Sequence, residues 1–281
     1  MRSHRLKLKA YAKINLYLRV LGLREDGYHE IETLFERVSL YDEIVLAPQD
    51  HGIALEVIGA ELPARDENLA YRAAQFFKDH FGVKRGVRIQ LSKNIPVAAG
   101  LGGGSSDAAT VLLGLNQLWG LNATREDLMK VGGRLGADVP FFLLERRRAL
   151  GKGRGDQVKE ESISESDQYL LVTPPVSVLT RDVYKAWDEL NALTPTPKDV
   201  KITDKFLTHW GNELEPIVIS KCPVVKEVFS LLRQLDFSRV QLSGSGPTVF
   251  AETSDPKQAR LGLTQVKSAH KDWRVEQVKG C

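Results

Sequence analysis

The chain has 281 residues, enough for two domains of ordinary size or one large one. Its 42% hydrophobic and 27% charged residues are those of a globular protein, which argues against a disordered or fibrous one. A net charge of +3 neither demands nor excludes nucleic acid, and two distant cysteines, Cys222 and Cys281, argue against a disulfide framework or a cysteine zinc site.

Those cysteines fit a reducing compartment, so a cytoplasmic location is expected. No H-x-x-x-H or H-E-x-x-H spacing suggests a built-in transition metal. No apolar run reaches membrane-spanning length, and because the strand pattern begins almost at once no signal peptide is expected. From 6 to 20 the pattern alternates without error: Leu6, Leu8, Ala10, Ala12, Ile14, Leu16, Leu18 and Val20 are apolar, and polar or aromatic residues fall between them. A period of two predicts a half-buried strand with Lys13 and Asn15 on its polar face, and its length predicts a bulge near 10–12. Asp26-Gly27 marks a turn before Tyr28-His29. Strands are predicted at 30–35, 39–46, 53–57 and 87–91, and a helix at 69–80.

Next comes Pro96-Val-Ala-Ala-Gly-Leu-Gly-Gly-Gly-Ser-Ser-Asp-Ala-Ala109, the most informative stretch of the chain. Glycines let a backbone approach an anion closely. Ala108, Ala109, Leu112, Leu115 and Trp119 then recur at helical spacing, so free N–H groups and a positive dipole end follow the glycines. The segment reads as a main-chain phosphate cradle, with Ser105 and Ser106 supplying hydroxyl donors or a metal contact. It is neither a P-loop, since no Lys follows, nor a full G-x-G-x-x-G, since Ser105 stands where the third glycine belongs. A flexible Gly/Ser linker is the plainer alternative.

Gly120 is a stop signal, and Thr124-Arg-Glu-Asp127 is a capping box for a helix ending near Gly132-Gly133. Pro140 should hold Val139 at extended angles. The charged stretch 145–166, with Arg146, Arg147, Arg148, Lys152 and Arg154, reads as a solvated hairpin and linker or as a basic lid over a polyphosphate. A strand at 169–173, a helix at 181–191, a linker at Thr194-Pro-Thr-Pro197, a helix at 224–235, a strand, Gly244-Ser-Gly246, a strand, a helix after Ser254-Asp-Pro256 and a strand at 273–278 follow. That is the βαββαβ order of a ferredoxin-like layer, with 180–220 as a helical insertion.

Three blocks stand together: Ala10-Tyr-Ala-Lys-Ile-Asn-Leu16, the cradle, and Leu242-Ser-Gly-Ser-Gly-Pro-Thr-Val249. They resemble the GHMP kinase superfamily, small-molecule kinases that hold ATP without a P-loop. Ala12-Lys-Ile-Asn15, Gly27-Tyr-His-Glu-Ile31, the glycine block 100–109 and Gly136-Ala-Asp-Val-Pro-Phe-Phe142, the first two above all, narrow the resemblance to a branch acting on a cytidyl diphosphate polyol of the non-mevalonate isoprenoid route. The resemblance spans the whole chain. Val97-Ala98-Ala99 departs from it, because the family often has a further glycine there.

The resemblance implies an α+β, two-domain architecture: an N-terminal α/β nucleotide domain (1–160), a C-terminal ferredoxin-like domain (161–281) and an active site between them. It implies ATP-dependent phosphorylation of the acceptor's 2-hydroxyl, a small-molecule substrate, no nucleic acid, no membrane, and a monomer or weak homodimer. Asp138 would be the catalytic base, Lys13 would keep it ionised and polarise the reacting groups, and Asn15 would bind the polyol. Without the resemblance, Asp138 reads equally as a turn cap, Lys13 as a surface lysine and Asn15 as an edge residue. Pro96, Gly100, Leu101, Gly102, Gly103, Gly104, Ser105 and Ser106 would hold ATP, with Lys93 and Asn68 beside its adenine and sugar. Tyr28, His29 and Tyr184 would hold cytosine, and Gly244, Ser245 and Gly246 would line the cleft near the acceptor. Mg²⁺ follows from ATP chemistry, its ligands unnamed by any acidic cluster. The rivals are another member acting on homoserine, mevalonate or a sugar, and a non-catalytic RNA-binding or regulatory relative.

Overall fold

The computed structural model describes residues 5–62, 65–162, 168–191, 211–237 and 239–281. The unbroken alternation makes β1 (Leu6–Leu23) one 18-residue strand, and its side chains Leu6, Ala10, Ala12, Ile14, Leu16, Leu18 and Val20 are all buried. The expected irregularity lies between Tyr11 and Ala12, where the register against β2 (His29–Gln49) slips and Ser39 and Leu40 have no partner in β1. Two strands were expected across 30–46. β2 runs through both because each half pairs with the same continuous β1.

The first sheet adds β3 (Ile53–Ile58), β4 (Gly86–Ser92), β5 (Arg148–Lys152) and β6 (Gln157–Glu160), in the order β3-β4-β2-β5-β6 with β1 on β2. Only β3 and β4 pair in parallel within it. Its helices are α1 (Leu69–Phe81), α2 (Gly103–Trp119), α3 (Arg125–Leu135) and α4 (Val139–Leu143). Asn68 caps α1 by accepting the Ala70 and Tyr71 N–H groups. The Thr124–Asp127 capping box opens α3 as read from the sequence.

Two expectations fail here for identifiable reasons. Gly132-Gly133 does not stop α3. A Cβ at Gly132 would come within 2.6 Å of Leu143 and 3.0 Å of Val139, so this glycine serves close helix packing. Val139 is not extended either. Pro140 sits in the first turn of α4, where a missing N–H costs no hydrogen bond.

The second sheet contains β7 (Gln168–Thr173), β8 (Arg239–Leu242), β9 (Val249–Thr253) and β10 (Arg274–Lys279), antiparallel in the order β10-β7-β9-β8. With α7 (Pro223–Gln234) and α8 (Pro256–Ala269) it forms the expected ferredoxin-like layer, and Asp255 caps α8 just ahead of Pro256. The insertion contributes α5 (Thr180–Asn191) and α6 (Glu215–Lys221). The linker at 194–197 lies outside the described residues.

β1, paired in the first sheet, sends side chains into all three cores. Leu6 and Ala10 of β1 join the core beneath α1 to α4, whereas Ala12, Ile14 and Leu16 pack with Tyr169, Leu171 and Phe250. Leu18 and Val20 join the core around α5 to α7. Backbone bridges at Leu18–Asn212 and Val38–Gly280 add two seams. The basic stretch takes part in this framework. Arg147 and Arg148 both pair with the fully buried Glu36, and Arg146 pairs with Glu160 at 3.1 Å. Burial pushes the Glu36 carboxyl up, and the two guanidiniums oppose that shift.

Candidate active site

A cleft of about 910 Å³ is lined by residues from both halves of the chain. The glycine loop forms one wall. Lys13 N–H donates to the Leu101 carbonyl (3.0 Å), tying the loop to β1. Ser243 Oγ donates to the Gly100 carbonyl (3.0 Å), tying it to the other half. Gly100 has φ +76°, and a side chain there would run into the Ser243 carbonyl. Gly102, at φ +67°, is the N-cap of α2, and a Cβ would meet the Lys13 chain and the Phe142 ring at 3.0–3.1 Å.

No side chain caps α2. The N–H groups of its first turn have no acceptor within the helix and carry its positive dipole end, a combination suited to phosphate. Ser105 lines the cleft beside them. Ser106 does not. It is 1% exposed, because one residue of helical rotation carries it to the buried side of α2. The Gly/Ser segment is therefore an ordered loop and helix start, not a flexible linker.

Lys13 and Asn15 stand on the polar face of β1, but that face is buried here, at 4% and 2% exposure. Lys13 Nζ donates to Asn15 Oδ1 (2.7 Å) and lies 3.4 Å from Asp138 Oδ2. Asn15 Nδ2 donates to Thr33 Oγ1 (2.8 Å), and the Thr33 hydroxyl donates to the Tyr17 carbonyl (2.6 Å). This chain fixes the orientation of the Asn15 amide. Asp138 precedes α4 but makes no side-chain cap bond, so its carboxylate faces the cleft. Gly244 closes over the pair: a Cβ there would lie 3.2 Å from Asn15 Oδ1 and 3.5 Å from Lys13 Nζ. Asn212 holds that turn by donating to the Leu242 and Gly244 carbonyls (3.0 and 2.7 Å).

His29 and Tyr184 also line the cleft. Their rings stack at 4.6 Å, and Trp187 meets His29 edge-on at 5.8 Å. His29 Nε2 shares a 2.7 Å hydrogen bond with Asp188 Oδ1. Burial, with the Asp138 charge adding to it, pushes the Tyr184 hydroxyl well up. Tyr28 is 55% exposed and lies under the Arg154 guanidinium, 5.0 Å from its ring centre. Arg154 is the one member of the basic stretch on the cleft wall, and Asp156 pairs with it at 2.7 Å.

The cleft thus gathers Lys13, Asn15, Tyr28, His29, Asn68, Lys93, Pro96, Gly100 to Ser105, Asp138, Tyr184, Gly244 and Ser245. Gly246, like Ser106, falls outside it, and a Cβ at Gly246 would meet Leu242 at 2.9 Å. Asn68 uses its carbonyl oxygen on α1. Sequence reasoning missed Asp107, Asp188, Thr180 and Asn212. Asp107 had a signal, since it directly follows Ser106 in the cradle motif. The other three come from the insertion, where no motif marks them.

The model of the GHMP kinases N terminal domain matches residues 68–146, and that of the GHMP kinases C terminal matches 198–272. The 4-diphosphocytidyl-2-C-methyl-D-erythritol kinase of Syntrophotalea carbinolica is 42% identical over 273 residues, covering 95% of each chain. The chain belongs to the GHMP kinase family. A relative of the same name in Clostridium beijerinckii is 37% identical over 95% of this GHMP kinase and 98% of its own length. A crystal structure of 4-(cytidine 5'-diphospho)-2C-methyl-D-erythritol kinase superposes with a TM-score of 0.81 at 35% identity, covering 98% of this kinase and all of that chain. Among the described residues, no helix is long and apolar enough to cross a membrane.

Proposed function

We propose that this GHMP kinase transfers the γ-phosphoryl group of ATP to the 2-hydroxyl of 4-diphosphocytidyl-2-C-methyl-D-erythritol, giving the 2-phosphate and ADP. The domain boundary lies at 160/161, and the enzyme works in the cytoplasm. The observation that carries this reading is the Lys13–Asp138 pair, 3.4 Å apart, in one cleft with the uncapped start of α2 and the His29–Tyr184 stack. Relatives of that name match the chain over nearly its whole length.

Phosphoryl transfer asks mainly for positioning and charge cancellation. The acceptor oxygen bonds to the γ-phosphorus as the bond to the β-phosphate bridging oxygen breaks, and Asp138 takes the hydroxyl proton. Lys13 offsets the charge of Asp138 and of the transferred group. The first-turn N–H groups of α2 hold the phosphates of the nucleotide. Asn15, already oriented by Thr33, donates to or accepts from the polyol. His29 and Tyr184 hold the cytosine, and that remote binding orients the reacting end. Among the described residues, no three His, Cys, Asp or Glu side chains converge on a cation position. Mg²⁺ commonly leaves most of its positions to water and phosphate. Ser105, on the cleft wall, would hold it, and it would supply charge neutralisation on the phosphates.

A coupled assay of ADP release tests the reading. Turnover is expected with ATP and the cytidyl acceptor, and none with homoserine, mevalonate or methylerythritol phosphate. Equal turnover with an acceptor that lacks the nucleotide would overturn the substrate assignment and leave only a small-molecule kinase.

A further inference from the structure

Lys93 does not offer a free ammonium to the cleft. Its side chain is 5% exposed, and Nζ bonds to Asp42 and, at 2.8 Å, to Asp107 Oδ2. Asp42, in β2, is fully buried, and its other oxygen accepts the backbone N–H groups of Asn94 and of Ile95 (2.7 Å). Asp107 lies one turn into α2. The glycine loop is therefore pinned where it leaves β4 and again where it has become helix, and one ammonium joins the two pins. The ammonium also packs under the loop itself, since a Cβ on Gly103 would come within 3.3 Å of Lys93 Nζ and 3.0 Å of Ile95.

We propose that Lys93 is a positioning residue for nucleotide binding, a buried strut between Asp42 and Asp107 that sets the spacing of the glycine loop against the start of α2. This rests on the ATP-dependent kinase reading of the cleft. Burying two carboxylates with one ammonium is a poor way to gain stability, because desolvation cancels most of the attraction, and in some proteins such networks are kept for the geometry they fix. Asp107 Oδ1 is buried with no hydrogen-bond partner among the described residues, a cost that a purely stabilising network would avoid. Burial pushes the Asp107 carboxyl up against the pull of Lys93. Burial alone would lower Lys93, and Asp107 and Asp42 reverse that and leave it raised.

The test is calorimetric titration with ATP in the absence of acceptor, together with KM and kcat. Asp107→Ala cuts the strut and leaves a neutral Asp42–Lys93 pair. Its ATP Kd should rise about tenfold, the scale of one lost charge-assisted hydrogen bond, with kcat at saturating ATP within about threefold and acceptor KM unchanged. Asp107→Asn keeps an acceptor for Lys93 and should raise Kd only about threefold. It carries the test alone if the alanine variant does not fold. Lys93→Met should weaken ATP at least as much as Asp107→Ala. Normal ATP affinity in Asp107→Ala beside weak binding in Lys93→Met would make Lys93 a direct ligand and overturn the strut. A lowered melting temperature with unchanged ATP affinity in these variants, or no rise in Asp107→Asn when the alanine variant is unfolded, would also overturn it. Failure of the unaltered chain to bind ATP would overturn the kinase reading itself, and the strut with it.

Discussion

Asp138 and Lys13 reach each other from a short helix start and from the middle of a strand. Lys13 is braced by Asn15, while Asp138 has no cap bond to break. Asp138→Asn keeps this shape and removes the base. Turnover should fall at least about a hundredfold with both substrate affinities near normal, as steady-state kinetics would show. Lys13→Met should also lose turnover, and the double variant should lose less than the sum, because the two act as a unit. Retention of most turnover by Asp138→Asn would remove it from the chemistry. Elsewhere on the cleft wall, Tyr184 is the face on which His29 lies. Tyr184→Ala should weaken the acceptor by about 1–3 kcal/mol, the scale of one lost stacking face, and leave ATP affinity unchanged. His29, tied to Asp188, has a defined ring orientation, so His29→Ala should erode cytidyl-over-uridyl preference more than Tyr184→Ala does. Kinetics with both acceptors decide this, and an unchanged preference in both variants would detach these rings from base recognition.

The loop before α2 shows how one element is tuned. Ala98 has φ +52°, a left-handed angle that costs a side-chain-bearing residue about 1–2 kcal/mol. It is exposed, so a glycine there loses no packing. Ala98→Gly should raise the melting temperature by about 1–2 °C after glycine's own entropy is subtracted, and a fall measured by calorimetry would show that the strain is offset elsewhere. Such local features were the legible part of the sequence. The β1 alternation, the Thr124–Asp127 box, the Gly120 stop and the Asp255-Pro256 opening each depend on residues a few positions apart. What was not legible depends on distant partners. Lys93 meets an aspartate 51 positions away, and nothing local shows that Arg147 and Arg148 neutralise Glu36. Ser105 and Ser106 read alike in sequence, and only the phase of α2 separates the one on the cleft from the one in the core. Gly132 looked like a stop because its role is to admit Leu143, a contact with another helix.

At the scale of the whole molecule, β1 pairs in the first sheet and packs side chains against the second, while bridges at Leu18–Asn212 and Val38–Gly280 tie the two halves. The core beneath α1 to α4 is built within residues 6–158, but the other two cores draw side chains from both halves. Heating should therefore give one calorimetric transition with equal calorimetric and van't Hoff enthalpies, and two separable transitions would show that the halves fold independently. The same sharing bears on how the protein is made. Ala12, Ile14 and Leu16 find their partners in Tyr169, Leu171 and Phe250, so during translation the strand that carries Lys13 waits for strands far behind it. At ordinary rates of synthesis that wait is roughly ten to fifty seconds, during which an apolar strand face is available to other chains. The phosphate-binding wall, braced by Ser243, takes its final form only near the end of synthesis.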